Sequence, residues 1–121
     1  MQDKMKRIIF IWSSPHIFGI PWEQFVVKKR VVYYCSLLNN YFRTNEMNYA
    51  VDIDTTFGEL DRLFEKNDDI WIFLEGNKKR YWIYRDEILE KKERIYYLSE
   101  EELYSGEIDK FLFWLSQRYI K

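Results

Sequence analysis

Two aromatic-rich apolar segments, joined by a Gly-Asn dipeptide, constrain the fold of this chain more than any other feature of its sequence. Residues 69–85 read DIWIFLEGNKKRYWIYR, and Gly76-Asn77 between such segments is typical of a two-residue β-hairpin turn. Side chains alternate along a strand, so the hairpin would have two faces. One face is uncharged and is expected to be core; it carries Ile70, Ile72, Leu74, Tyr81 and Ile83. The other face combines aromatic side chains with an arginine: Trp71, Phe73, Arg80, Trp82 and Tyr84.

The segments that precede the hairpin predict further strands and a long helix. Residues 6–12 form a short continuous apolar run, and residues 49–53 alternate between apolar and polar, so both are expected to be strands. In residues 22–43 apolar side chains recur at intervals of four and three, which predicts a long helix. A hairpin that turns at residues 28–30 is the alternative for this segment, because its paired valines weaken helix propensity.

Two capping-box patterns and one amphipathic segment predict the remaining helices. Thr56 with Glu59 would open a short middle helix, and Ser99 with Glu102 forms a second match to the capping-box pattern, which Gly106 interrupts. Residues 108–119 have a helical apolar stripe and would form the final helix. Residues 86–94 are compatible with either a strand extension or a helical turn.

Taken in chain order, these elements predict one globular α+β domain that spans residues 1–121. Its sheet would be mixed or mainly antiparallel, with about four or five strands around the central hairpin at 69–85. The long N-terminal helix, the short middle helix and the C-terminal amphipathic helix would pack on the sheet. If the helices lie on one face, the other face is open, and the aromatic side of the hairpin would lie there.

Charge is unevenly distributed along the chain although the net charge is only −1. Residues 1–45 carry seven basic and two acidic side chains, whereas the rest of the chain carries twelve basic and eighteen acidic ones. A net charge near zero argues against nucleic-acid binding as the main activity, and the basic clusters at 28–30 and 78–80 match no phosphate-binding motif. No apolar segment has the length of a signal peptide or a membrane span, so a cytoplasmic protein without membrane contact is expected.

The aromatic face of the hairpin is the leading candidate for a contact surface. The chain has five Trp and ten Tyr, and Trp, Tyr and Arg are enriched at interface hot spots. We therefore expect a protein partner to contact Trp71, Phe73, Arg80, Trp82 and Tyr84. Asp52 and Asp54 would extend this surface towards a partner with a basic surface. The alternative is that a helix covers Trp71 and Trp82, which would make the whole face part of the core.

Patterns that carry catalysis or bind metals are weak in this sequence. Asp52-x-Asp54 places two carboxylates near one strand end, but a lone pair of this kind is common, so no metal and no cofactor are expected. His16 follows Ser13-Ser14-Pro15 without a nucleophile motif. Cys35 is the only cysteine and lies among apolar residues, where a thiol is usually inert. No catalytic residue is therefore assigned.

The sequence thus favours a small protein-binding module that acts by blocking a partner's surface. An inhibitor or a toxin-neutralising immunity protein would fit the chain length, the acidic half and the aromatic excess. A small enzyme with a carboxylate-based or metal-assisted site is the alternative function. A nucleic-acid-binding protein is a third and less favoured function.

Overall fold

Strands and helices alternate along the chain in the computed structural model, which describes residues 6–12, 22–54, 64, 70–75, 81 and 84–118, with the backbone alone at 22–26. Within these residues the strands are β1 (Lys6–Ile11), β2 (Tyr49–Ile53), β3 (Ile70–Leu74) and β4 (Ile95–Leu98). The helices are α1 (Trp22–Thr44), α2 (Arg85–Glu90), α3 (Glu100–Ser105) and α4 (Asp109–Arg118). A single 3-10 turn, Lys92–Arg94, connects α2 to β4.

The four described strands form one sheet in the order β2-β1-β3-β4, and every neighbouring pair is parallel. In β1, Ile8 is aligned with Val51 of β2 on one side and with Ile70 of β3 on the other. The expectation of a mixed or mainly antiparallel sheet is therefore wrong. Parallel strands need a long crossover between them instead of a tight turn, and α1 is the crossover from β1 to β2.

The prediction of a hairpin at 69–85 is also wrong. Its first arm is β3, but β3 pairs in parallel with β1 and β4. Where the second arm would end, Tyr84 has φ −105° and ψ 17° and directly precedes α2. All five residues of β3 are buried, as expected for a parallel strand that is covered on both faces. Gly76 and Asn77, which suggested the turn, lie outside the described residues.

Helices cover both faces of this sheet. On one face α1, α3 and α4 pack together, and Leu38, Leu103 and Phe111 belong to one buried cluster. On the other face α2 contributes Ile88, which packs against a second cluster that includes Trp71. Right-handed crossovers produce this arrangement when a chain moves from β1 outward to β2 and then back across β1 to β3. The described part of the sheet therefore has no open face of the kind expected from the sequence.

The long helix, the second capping box and the final helix are confirmed. The predicted helical stripe faces the sheet, and its buried members are Val31, Tyr34, Leu38 and Phe42. At the start of α3 the Ser99 hydroxyl accepts the Glu102 N–H, and the Glu102 carboxylate accepts the Ser99 N–H. The final amphipathic segment is α4, of which Phe111 and Leu115 are buried. The middle helix predicted to begin at Thr56 lies outside the described residues.

Candidate contact surface

The tryptophan and phenylalanine at the centre of the predicted aromatic platform are core residues. Trp71 and Phe73 are both 0% exposed. The ring of Phe64 lies 4.7 Å from that of Trp71, and the ring of Tyr81 lies 5.1 Å from that of Phe73. The expectation that Trp71 and Phe73 are exposed is therefore wrong, because β3 is a central strand with packing on both faces. This outcome agrees with the alternative that the sequence left open.

The other members of the predicted site are separated from one another. Tyr84 is half-buried and packs against the same cluster as Trp71. Asp52 is exposed, whereas Asp54 is only 3% exposed and so presents little surface to a partner. Arg80 and Trp82 lie outside the described residues. The structure therefore does not bring the predicted residues together on one exposed surface within its described part.

Asp54 directly follows β2 and lies beside Trp12, the residue that directly follows β1. Its N–H donates to the carbonyl of Phe10 at 3.0 Å, and its own carbonyl accepts the indole N–H of Trp12 at 2.9 Å. The Nζ atom of Lys28 lies 5.5 Å from the centre of the Trp12 ring, which is the distance of a cation–π contact. No group of three or more His, Cys, Asp or Glu side chains that could hold a metal occurs among the described residues.

The outward side of α1 is both basic and aromatic. Opposite the buried stripe, the exposed side chains are Lys28, Lys29, Val32, Tyr33, Ser36, Asn40 and Arg43. Between residues 27 and 44 the helix has no acidic residue. Lys28 contacts an aromatic ring and the guanidinium of Arg43 donates to Asn40, and these two uncharged partners do not neutralise the charge of either side chain. α1 thus offers solvent a positively charged surface over about four turns.

Arg30 joins this helix to the end of α3. Its Nε donates to the carbonyl of Leu103 at 2.9 Å, and its Nη2 donates to the carbonyl of Tyr104. Its guanidinium also stacks 4.6 Å from the centre of the Tyr33 ring. The last carbonyls of a helix carry partial negative charge and have no partner within the helix, so a cation is stabilised there. One side chain therefore fixes the position of two helices relative to each other.

Gly106 allows α1 and α3 to approach closely at this point. It ends α3 with φ 73°, a left-handed conformation that favours glycine. A Cβ atom at this position would lie 3.3 Å from Cδ1 of Leu37, which is a tight contact. We call the five residues at this junction the α1–α3 surface: Arg30, Tyr33, Leu37, Tyr104 and Gly106. Tyr33 and Tyr104 are each 48% exposed; the ring of Tyr33 stacks on the arginine, and the backbone carbonyl of Tyr104 accepts its hydrogen bond.

The first turn of α3 has the opposite charge to α1. Glu100 and Glu101 are exposed, whereas Glu102 is only 5% exposed. The exposed charge is thus positive on α1 and negative at the start of α3.

A network of buried hydroxyl and carboxyl groups lies beneath this surface. The hydroxyl of Tyr96 donates to Oε2 of Glu102 at 2.6 Å, and Ser99 Oγ donates to Oε1 of the same carboxyl at 3.0 Å. The hydroxyl of Tyr34 donates to the carbonyl of Glu107 at 3.0 Å. Burial, followed by the hydrogen bond to Glu102, raises the pKa of Tyr96, and burial followed by the charge of Glu102 raises the pKa of Tyr34. Both tyrosines stay protonated at neutral pH and act here as hydrogen-bond donors that support α3.

Among the residues that the sequence offered as nucleophiles, the structure describes Cys35, and it lies in the core. Cys35 is 4% exposed, and burial, followed by the charge of Asp52, raises the pKa of its thiol to about 12. A neutral, buried thiol is a poor nucleophile. His16 and the basic cluster at 78–80 lie outside the described residues.

The sequence reasoning missed the α1–α3 surface although half of its signal was present. The exposed side of α1 follows from the same periodicity as its buried stripe, since Lys29, Tyr33, Ser36 and Asn40 recur at helical intervals. Tyr104 has no such signal, because its position next to Arg30 depends on the tertiary contact of Arg30 with α3.

Among the described helices, none is both long enough and apolar enough to cross a membrane. Comparison of the chain with protein-family models, with curated proteins and with solved structures found no match.

Proposed function

We propose that this chain is a protein-binding module whose contact surface is the α1–α3 surface. The observation that carries the proposal is a fixed Arg30 with two half-exposed tyrosines next to it: the ring of Tyr33 stacks on its guanidinium, and the carbonyl of Tyr104 accepts its hydrogen bond. Tyrosine and arginine are the side chains that most often dominate binding energy, especially where they are held rigidly before binding. An inhibitor or an immunity protein acts by occupying its partner's surface, and this is the mode of action that we propose.

Rigidity distinguishes this surface from other exposed apolar side chains of the chain. Arg30 makes two hydrogen bonds and one ring contact, so it loses little conformational freedom on binding. Leu89 on α2 is 66% exposed and Phe113 on α4 is 67% exposed. Neither belongs to the junction of two helices. Leu89 and Phe113 are therefore suitable control positions for an experiment on the α1–α3 surface.

The test compares protein retention from an extract of the native host on immobilised wild type and on three variants. The test variant is Tyr33→Ala/Tyr104→Ala, and the controls are Leu89→Ala and Phe113→Ala. We expect one protein to be retained by the wild type and both controls and to be lost from the double variant. With that protein purified, the double variant should bind at least about thirtyfold more weakly in calorimetry, since a hot spot contributes about 2 kcal/mol.

Circular dichroism of the variants separates binding from folding. If the double variant is folded and retains the protein as the wild type does, the α1–α3 surface is not the contact surface. The proposal is also refuted if no protein is retained more strongly by the wild type than by the double variant.

A ligand-binding or catalytic site at the carboxyl edge of the sheet is a second candidate function. Parallel sheets bind ligands beyond the carboxyl ends of their strands, where the chain reverses its direction across the sheet. In this chain that reversal is at β1, and the nearly buried Asp54 lies at this edge beside Trp12. This site would serve the alternative of a carboxylate-based enzyme.

A thermal-shift screen of small metabolites tests the second function. A ligand bound through the carboxylate should raise the melting temperature of the wild type and have a much smaller effect on Asp54→Asn. The Asp52→Asn variant is the matched control, because Asp52 is exposed two residues away. An equal shift in all three proteins would argue against a role for Asp54.

A further inference from the structure

We infer that the partner of this chain is a protein with an acidic surface that lies along the outward side of α1. Its carboxylates would form two groups about 21 Å apart, one on either side of an uncharged centre. The inference rests on the proposed function, because it names the chemistry of the partner and extends the contact from the α1–α3 surface along α1. It follows from the order of the exposed side chains on this one helix.

The helical repeat brings the exposed side chains of α1 onto one strip. Each residue turns an α-helix by about 100°, so Ser36 and Asn40 lie within about 20° of Lys29 around the axis. Arg43 lies within about 40° of Lys29 by the same count. We call this strip the basic face of α1, and its exposed members are Lys29, Val32, Tyr33, Ser36, Asn40 and Arg43.

The basic face of α1 is positive at both ends and uncharged between them. Lys29 and Arg43 are fourteen residues apart, which is about 21 Å along the axis. Between them lie a valine and a tyrosine, which are 47% and 48% exposed, and then two uncharged polar side chains. A partner that matches this order has carboxylates at the two ends and apolar or polar groups at the centre of the contact.

The cations of α1 contact uncharged groups. Because no acidic residue lies between residues 27 and 44, they have no carboxylate three or four residues away within the helix. Lys28 lies over the ring of Trp12. Arg30 donates to two backbone carbonyls, and Arg43 donates to the carboxamide of Asn40. Their positive charge is therefore available to attract an acidic partner.

A nucleic acid or a membrane fits this surface less well than an acidic protein does. Double-stranded DNA carries one negative charge per about 1.7 Å of its axis, whereas the basic face is uncharged over most of about 21 Å. A longer polyanion would also meet the chain after residue 45, which has twelve basic and eighteen acidic side chains. A helix that lies in a membrane surface inserts its apolar side, and the apolar stripe of α1 is buried in the core.

Two synthetic peptides of equal composition test the inference. Each is an alanine-rich helix of about 24 residues with leucine at its centre. The spaced peptide has glutamates in two groups about 21 Å apart, and the clustered peptide has all of them near one end. Calorimetry of the full chain at low salt should show at least about fivefold tighter binding of the spaced peptide, because only this peptide reaches both Lys29 and Arg43.

Charge reversal shows whether the basic face of α1 is the surface that binds. Lys29→Glu/Arg43→Glu should bind the spaced peptide at least about tenfold more weakly than the wild type, because both contacts become repulsive. Lys29→Gln/Arg43→Gln, which removes the charges without reversing them, should lose less affinity. Circular dichroism checks that both variants are folded.

Lys92→Glu/Lys110→Glu is the control, because it changes the net charge by the same amount. Lys92 lies in the turn between α2 and β4, Lys110 lies on α4, and both are exposed. This variant should bind the spaced peptide as the wild type does. An equal loss of binding in the control overturns the inference.

Three further outcomes would also overturn the inference. The first is a wild type that does not bind the spaced peptide at about 1 mM and low salt. The second is equal affinity for the spaced and the clustered peptide. The third is tighter binding of an oligothymidylate, or of vesicles that contain phosphatidylserine, with loss of that binding in Lys29→Glu/Arg43→Glu, because the partner is then a nucleic acid or a membrane.

The results separate the inference from the proposed function. If the spaced peptide is not bound but a host protein is lost from Tyr33→Ala/Tyr104→Ala, the α1–α3 surface stands and its partner is not acidic. If the spaced peptide is bound as expected but Tyr33→Ala/Tyr104→Ala retains every host protein that the wild type retains, the proposed function fails and the basic face of α1 binds acidic proteins without the α1–α3 surface.

Discussion

The carboxyl group of Glu102 accepts hydrogen bonds from three donors although the side chain is only 5% exposed. Two donors are the N–H and the hydroxyl of Ser99, and the N–H bond is one half of the capping box that starts α3. The third is the hydroxyl of Tyr96 in β4. A buried carboxyl group is costly unless its oxygens are satisfied, so these donors are required for α3 to lie where it does.

Tyr96→Phe tests the contribution of this hydrogen bond. The substitution removes one donor from Glu102 and retains the ring that packs 5.2 Å from Phe111. We expect the free energy of unfolding to fall by about 1 to 3 kcal/mol, because a buried carboxyl group is left with an unsatisfied oxygen. Urea denaturation measures the change. Tyr104→Phe, at an exposed position, should shift the midpoint little, and an equal shift in both variants would contradict this role of Tyr96.

At the scale of elements, β2 is an edge strand that a side chain of α1 partly covers. Lys6 N–H donates to the carbonyl of Asn48, and Asp54 N–H donates to the carbonyl of Phe10. Because backbone groups alternate along a strand, Val51 directs its N–H and carbonyl away from β1, towards the outer edge. The carboxamide of Asn39 pairs with both groups, at 2.8 and 3.0 Å. This side chain takes the place of a neighbouring strand and closes part of an edge that could otherwise pair with another chain.

Asn39→Ala should open this edge at Val51. The Val51 N–H would lose its acceptor. Loss of a hydrogen bond that contributes about 1.4 kcal/mol should make this amide exchange about tenfold faster. Amide exchange followed by NMR measures this rate. The Asp54 N–H, which donates to Phe10 within the sheet, is the internal reference.

Asn40→Ala is the matched variant, because Asn40 is exposed and contacts Arg43 instead of β2. Exchange at Val51 should be unchanged in that variant. If Asn39→Ala leaves the exchange of Val51 unchanged, the carboxamide does not protect the edge.

Elements whose residues encode a local pattern could be predicted, whereas their pairing could not. The stripe of α1 and the Ser99–Glu102 capping box depend on spacings within one helix, and both are confirmed. The direction of pairing of β3 depends on distant residues. An apolar run such as Ile70–Leu74 suits a central parallel strand as well as a hairpin arm. The candidate surface was missed for the same reason, because only a tertiary contact brings the backbone of Tyr104 to Arg30 and Tyr33.

At the scale of the whole molecule, the buried thiol and phenols make folding sensitive to alkaline pH. Burial, followed by the charge of Asp52, raises the pKa of Cys35 from 9.0 to about 12. Burial also raises the pKa values of Tyr34, Tyr96 and Tyr97 above 10.0. The folded state therefore holds these protons more tightly than the unfolded state does. Their stabilising contribution is complete below the unfolded pKa values and is lost as the pH rises through the folded ones.

The urea midpoint should accordingly fall as the pH rises from about 9 to about 12, the interval between the unfolded and folded pKa values of Cys35. Cys35→Ala should give a shallower fall in this interval, because the thiol no longer contributes, although packing loss lowers its midpoint at every pH. Denaturation curves at a series of pH values measure both slopes. Equal slopes for the two proteins would contradict a contribution from Cys35.

The contact between Arg30 and Leu103 joins residues that are 73 positions apart in the chain. A ribosome that adds about 5 to 20 residues per second reaches Leu103 roughly 4 to 15 s after Arg30. During that interval α1 has no α3 to pack against, so the surface that we assign to binding does not yet exist. On the proposed function, a partner can therefore capture only chains whose synthesis has passed Gly106.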